Sequence, residues 1–82
     1  MNDLIRDEIL KAIVGSGEPL ETKEILDRIE GKIKKESVTR TKIFYRLNNL
    51  RGDGLIKGKF IGSGKGVWIW WKLGVFGKEV KR

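Results

Sequence analysis

Among its 82 residues the chain has no cysteine, no histidine and no glutamine, and it has a single proline. Without cysteine there is no disulfide framework and no thiolate zinc site. Without histidine there is no imidazole metal ligand, no Ser-His or Cys-His dyad, and the commonest general base is gone. Ser16, Ser37 and Ser63 stand in glycine-rich or capping contexts, and nothing arranges a Ser-Lys site around them. Neither an enzyme nor a cofactor or metal site is expected. The longest strongly apolar run, Val67-Trp68-Ile69-Trp70-Trp71, falls far short of the ~20 residues of a membrane helix. The first eight residues are acidic and lack the basic start of a secretory signal. The expected location is the cytoplasm, at the nucleoid, with no membrane partner. No small-molecule effector site is visible.

What is present is charge, unevenly spread. The 18 Lys+Arg outnumber the 11 Asp+Glu, for a net charge of +7. Residues 1–30 carry 4 basic and 8 acidic side chains, whereas residues 31–82 carry 14 basic and 3 acidic. Such a split implies a basic face rather than a basic average. The usual polyanion for a small basic domain is nucleic acid. The dominance of Lys and Glu at polar positions hints at a hot-living source. The length fits one domain, residues 1–82, with its core at about 3–73 and a short tail at 74–82. A chain this short hides only about 60–65% of its unfolded surface.

Asp3 to Val14 reads as a helix, because Leu4, Ile5, Ile9, Ala12 and Ile13 recur at three- and four-residue steps. Gly15-Ser16-Gly17 ends it. Glu18-Pro19-Leu20 is a short extended link. A second helix starts near Glu21 or Thr22, buries Ile25, Leu26 and Ile29, and stops at Gly31. A basic connector, residues 31–36, follows, with Ile33 tucked back onto the core. Thr39 is the expected N-cap of a third helix, with Val38 and Ile43 spaced as a hydrophobic staple and Ser37 as an alternative cap. Its core stripe is Ile43, Leu47 and Leu50, with Phe44 on the shoulder. Gly52-Asp53-Gly54 terminates it.

From Leu55 the apolar period changes from helical to alternating. Residues 55–61 and 67–73 read as two strands joined by the flexible tip Gly62-Ser63-Gly64-Lys65-Gly66. Those glycines match neither a dinucleotide fingerprint nor a phosphate-binding loop, which lead into a helix. Alternation puts Val67, Ile69, Trp71 and Leu73 on one face of the second strand and Trp68, Trp70 and Lys72 on the other. If the first set packs on the helices, Trp68 and Trp70 point away from them. The tail residues Val75, Phe76 and Val80, a second subunit, or a partner or nucleic acid would then cover the two rings. The reading adopted is a homodimer with Trp68, Trp70 and Phe76 at its interface.

The order helix, short strand, helix, helix, hairpin resembles the winged-helix variant of helix-turn-helix. Pro19-Leu20-Glu21-Thr22-Lys23-Glu24-Ile25 is similar to the usual entry to its second helix. Residues 38–50 resemble its recognition helix, Asp53-Gly54-Leu55-Ile56 the step into the wing, and Trp71-Lys72-Leu73 the closing strand. The likeness covers roughly residues 3–73 and is specific for the fold rather than for one family. Small archaeal and archaeal-virus transcription regulators, and bacterial repressors with a lone winged helix, are similar in this respect. A viral source would put the protein in the host cytoplasm. The connector between the second and third helices is several residues longer than in compact members.

The resemblance implies an α+β fold, a winged helix-turn-helix of three helices plus a C-terminal β-hairpin wing. It also implies binding to double-stranded DNA, with a recognition helix at about 39–51 in the major groove and a wing at about 57–66 on an adjacent groove or the backbone. The residues agree. At ~100° per residue, the face opposite Ile43, Leu47 and Leu50 presents Thr41, Lys42, Tyr45, Asn48 and Asn49, with Arg40 and Arg46 on its flanks. Arg can pair bidentately with guanine and Asn with adenine, and a Thr methyl can meet a thymine methyl. No acid lies between Val38 and Arg51. Lys57, Lys59 and Lys65 on or beside the hairpin suit phosphates. The expected DNA-binding set is Arg40, Thr41, Lys42, Tyr45, Arg46, Asn49, Lys57, Lys59 and Lys65. The alternative is a winged-helix protein-interaction module in a larger nucleic-acid-processing assembly.

Overall fold

A computed structural model describes residues 4–33 and 38–73. The order of elements is α1 (Leu4–Gly15), β1 (Leu20–Glu21), α2 (Thr22–Glu30), α3 (Arg40–Gly52), β2 (Ile56–Ile61) and β3 (Val67–Lys72). Three helices pack on one three-stranded antiparallel sheet of order β1-β3-β2, an α+β fold as expected.

Each helix forms where an aliphatic stripe meets a local stop and start. α1 buries Ile5, Ile9 and Ile13. Beyond it, Ser16 replaces the helical ladder with a local turn. Its hydroxyl donates to the Glu18 carbonyl at 2.6 Å and accepts from the Glu18 amide at 3.2 Å. α2 begins at the extended residue Glu21, whose amide donates to the Glu24 carboxylate at 2.7 Å. It buries Ile25 and Ile29, and Leu26 is half-buried. Ile33 returns to the core as expected, its amide donating to the Ile29 carbonyl at 3.0 Å. Thr39 is the N-cap of α3, its hydroxyl accepting from the Lys42 amide at 3.2 Å. At the far end the amides of Asp53, Gly54 and Leu55 donate back to Asn49, Arg51 and Leu50. Gly54 makes this turn possible with φ of +80°, a conformation costly for any residue with a Cβ. Leu55 therefore belongs to the turn that closes the helix, and β2 starts at Ile56 rather than at Leu55.

The core is the meeting of these stripes with Leu20 of β1, Ile56 of β2 and Trp70 of β3. β1 pairs with β3 through Leu20 opposite Trp70 and Glu21 opposite Ile69. β2 pairs with β3 from Ile56 opposite Lys72 to Ile61 opposite Val67.

The strand faces are reversed from the sequence expectation. Trp70 is 0% exposed at the centre of the core, and Trp68 packs half-buried beside it. Val67, Ile69 and Trp71 lie on the other face of the sheet, also half-buried. Two tertiary features set this parity. The Trp70 indole N–H donates to the Thr22 hydroxyl at 2.9 Å, so the one polar atom of the ring is satisfied inside. Gly58, opposite Trp70, leaves the space the ring fills, and a Cβ there would overlap it. Trp70 is thus not an interface residue, and the outward Trp68–Trp70 pair does not exist. Phe76, the third residue of that expected interface, lies outside the described residues.

Candidate nucleic-acid interface

α3 turns the stripe Ile43, Leu47 and Leu50 inward. Its opposite face is therefore fixed, and Thr41, Lys42, Tyr45 and Asn49 stand exposed on it, with Arg40 exposed on its flank. Tyr45 is 64% exposed at the middle of this surface. Arg46 is half-buried and its guanidinium donates to the Lys42 carbonyl at 3.4 Å. Asn48, expected on the same face, is half-buried. Its amide donates to the Phe44 carbonyl at 3.0 Å and its oxygen accepts from Arg51 at 3.4 Å. It is occupied along the helix flank.

The hairpin basic residues do not form one cluster. Lys65 is exposed at the tip, between the positive-φ residues Gly62 and Gly64 and the start of β3. Lys57 and Lys59 are opposite Trp71 and Ile69, which puts them on the sheet face turned away from α3. The expected set thus divides into the α3 face with the hairpin tip, and a separate pair of lysines behind the sheet.

Aromatic contacts fix the angle between α3 and the hairpin. Trp68 and Trp70 are stacked, centroids 5.1 Å apart with 17° between planes. Phe44 of α3 meets both edge-on, at 6.1 and 5.9 Å, and Phe60 meets Trp68 at 6.0 Å. Such pairs contribute about 0.5–1.5 kcal/mol each beyond the area they bury. Arg51, to which the sequence alone assigns no role, lies over Trp68 at 5.3 Å and hydrogen-bonds Asn48. Its only sequence signal is a cation in the last turn of the helix ahead of an aromatic strand. Between the start of α3 and the hairpin lies an open groove of about 350 Å³, floored by Phe44 and Trp68 and edged by Arg40, Thr41 and Gly66.

Charge follows the same division. From residue 38 to 73 there are 8 basic residues and 1 acid, Asp53. Asp53 sits near Arg6 of α1, at 3.9 Å. Among the described residues no group of three His, Cys, Asp or Glu side chains could hold a metal ion. No described helix is long and apolar enough to cross a membrane.

Three helices lie against a small antiparallel sheet, with a hairpin closing the chain's described part. The chain is similar to the crystal structure of a "putative transcriptional regulator" from Thermoplasma acidophilum, with a TM-score of 0.70 at 17% identity, covering 93% of this chain and 70% of that one. No protein-family model and no curated protein sequence matches the chain.

Proposed function

We propose that the protein is a winged-helix regulator that binds double-stranded DNA sequence-specifically, with α3 in the major groove and the hairpin as its wing. The observation that carries this is the outer face of α3. Thr41, Lys42, Tyr45 and Asn49, which can address bases or phosphates, stand exposed there with Arg40 on the flank, and the helix contains no acid. Arg40, Thr41 and Lys42 open the helix, where the positive dipole end also favours phosphate. Tyr45 and Asn49 follow one and two turns later on the same face. Lys65 at the wing tip extends the positive surface toward the neighbouring backbone. Lys57 and Lys59 are assigned to phosphates reached by the far side of the wing. The likeness in fold to a protein described as a regulator supports the same reading.

Selection of bound sequences from a random duplex pool, at a stated salt concentration, tests the proposal. The expected outcome is a recurring motif rather than uniform recovery. If roughly five to eight phosphates are neutralised, log K falls against log salt with a slope of about −4.5 to −7 per protomer. Recovery of no motif, or a slope near zero, overturns the reading.

A further inference from the structure

The face of α1 turned away from the core mixes aliphatic and charged side chains, and none of the described residues covers it. Leu4 is 61% exposed and Val14 50% exposed, and both line a shallow groove of about 550 Å³ with Leu10, Asp7 and Lys11. The spacing Leu4, Asp7, Lys11, Val14 is three, four, three residues, which is the seam of a helix pair. This seam is symmetric about Ile9. Leu4 and Val14 lie five residues to either side, and Asp7 and Lys11 lie two.

We infer that α1 is a homodimer interface, in which two copies of the helix pair antiparallel through this outer face, about a twofold axis level with Ile9. In that register Leu4 of each copy meets the second copy's residue 14. Asp7 of each copy meets the second copy's residue 11, so two ion pairs form for one change of sequence. Each half of the seam is the complement of the other, as an interface shared by identical subunits requires. A foreign partner would impose no such symmetry on α1. Antiparallel pairing also sets the positive end of each helix dipole beside the negative end of the other. In the single chain Asp7 has no ion-pair partner among the described residues, and Lys11 reaches Glu8 at 3.6 Å while remaining solvent-exposed. Lys32 also approaches Glu8, at 3.9 Å, so Glu8 keeps a cation when Lys11 turns to the second copy. A three-turn helix pair is a small interface, so the dimer forms at high micromolar concentration and is tightened when both copies sit on one duplex.

The test is sedimentation equilibrium of the whole chain over a broad concentration range, with circular dichroism to verify the fold of each variant. Wild type is expected to associate to a dimer and no further. Asp7→Lys alone and Lys11→Asp alone each place two like-charge contacts in the seam and weaken association roughly tenfold or more. The double variant Asp7→Lys/Lys11→Asp restores it. An equimolar mixture of the two single variants forms a heterodimer, because each supplies what the other lacks. Leu4→Ser with Val14→Ser, both at exposed positions, gives a monomer with an unchanged spectrum. A wild type that stays monomeric at all concentrations overturns the inference. So do single variants that dimerise as well as wild type, or a double variant that fails to recover. None of these readouts uses DNA, so their outcome is separate from that of the DNA-binding proposal.

Discussion

α1 and α3 have 12 and 13 residues, and each buries a single aliphatic stripe, Ile5, Ile9, Ile13 in one and Ile43, Leu47, Leu50 in the other. Seen from the core they are interchangeable. Seen from outside they share nothing. α1 shows two aliphatic residues around one acid and one base, and α3 shows Arg40, Thr41, Lys42, Tyr45 and Asn49. The contrast extends to their neighbourhoods. Residues 4–33 carry 5 basic and 7 acidic side chains, against 8 and 1 for residues 38–73. Because successive residues of a helix point ~100° apart, the stripe that anchors it and the stripe that meets a partner are chosen independently. The inner stripe makes the fold, and the outer one decides what each helix can touch.

The largest expected effect tests the equality of the inner stripes. Ile9→Ala and Leu47→Ala, both at fully buried positions, should each lower stability by about 2–5 kcal/mol in denaturant melts. A small loss at one of them would break the equivalence. Next comes the inequality of the outer faces. Arg40→Ala and Asn49→Ala should each lose about 1–3 kcal/mol of discrimination between selected and random duplex in gel-shift titrations. Lys23→Ala, exposed in the acidic half, should change neither affinity. Equal loss on both duplexes for the α3 variants would reduce that face to a backbone clamp. Lys65→Ala should weaken all duplexes alike and flatten the salt slope by about 0.9. The smallest effect falls where α3 meets the hairpin. Arg51→Ala should cost about 0.5–1 kcal/mol of stability, read from thermal melts, by removing the cation from the Trp68 ring.

The helices were legible because their stripes are isolated aliphatics in a polar background. Ile5, Ile9 and Ile13 can lie on one face only, and Thr39 stands where a cap is needed. The exposed residues of α3 followed from that same geometry, since the outer face is whatever the core stripe leaves. β3 offered no such contrast. In Val67-Trp68-Ile69-Trp70-Trp71-Lys72 both alternating sets are apolar, so hydrophobicity could not choose between them. The choice rests on the Thr22 hydroxyl, 48 residues away in sequence, and on the vacancy at Gly58. Neither is a local property of the strand. Arg51 escaped notice for the same reason, as its partner Trp68 comes from another element. The division of the lysines between two sides of the sheet also depends on that parity.

The stacked indoles of Trp68 and Trp70 have an optical consequence. Two indoles this close couple their excited states, and where their transition dipoles are skewed the coupled pair produces two circular dichroism bands of opposite sign. That couplet is a signature of the packed junction and belongs to neither ring alone. It should vanish in Trp68→Phe, although a ring still fills the site, and on unfolding it should disappear with the tertiary structure. Trp68 borders the groove between α3 and the hairpin, whereas Trp70 is sealed. A ligand entering that groove would touch Trp68 directly and reach Trp70 only through the coupling of the two rings. The protein thus carries its own reporter on the junction between α3 and the hairpin, readable without any added label.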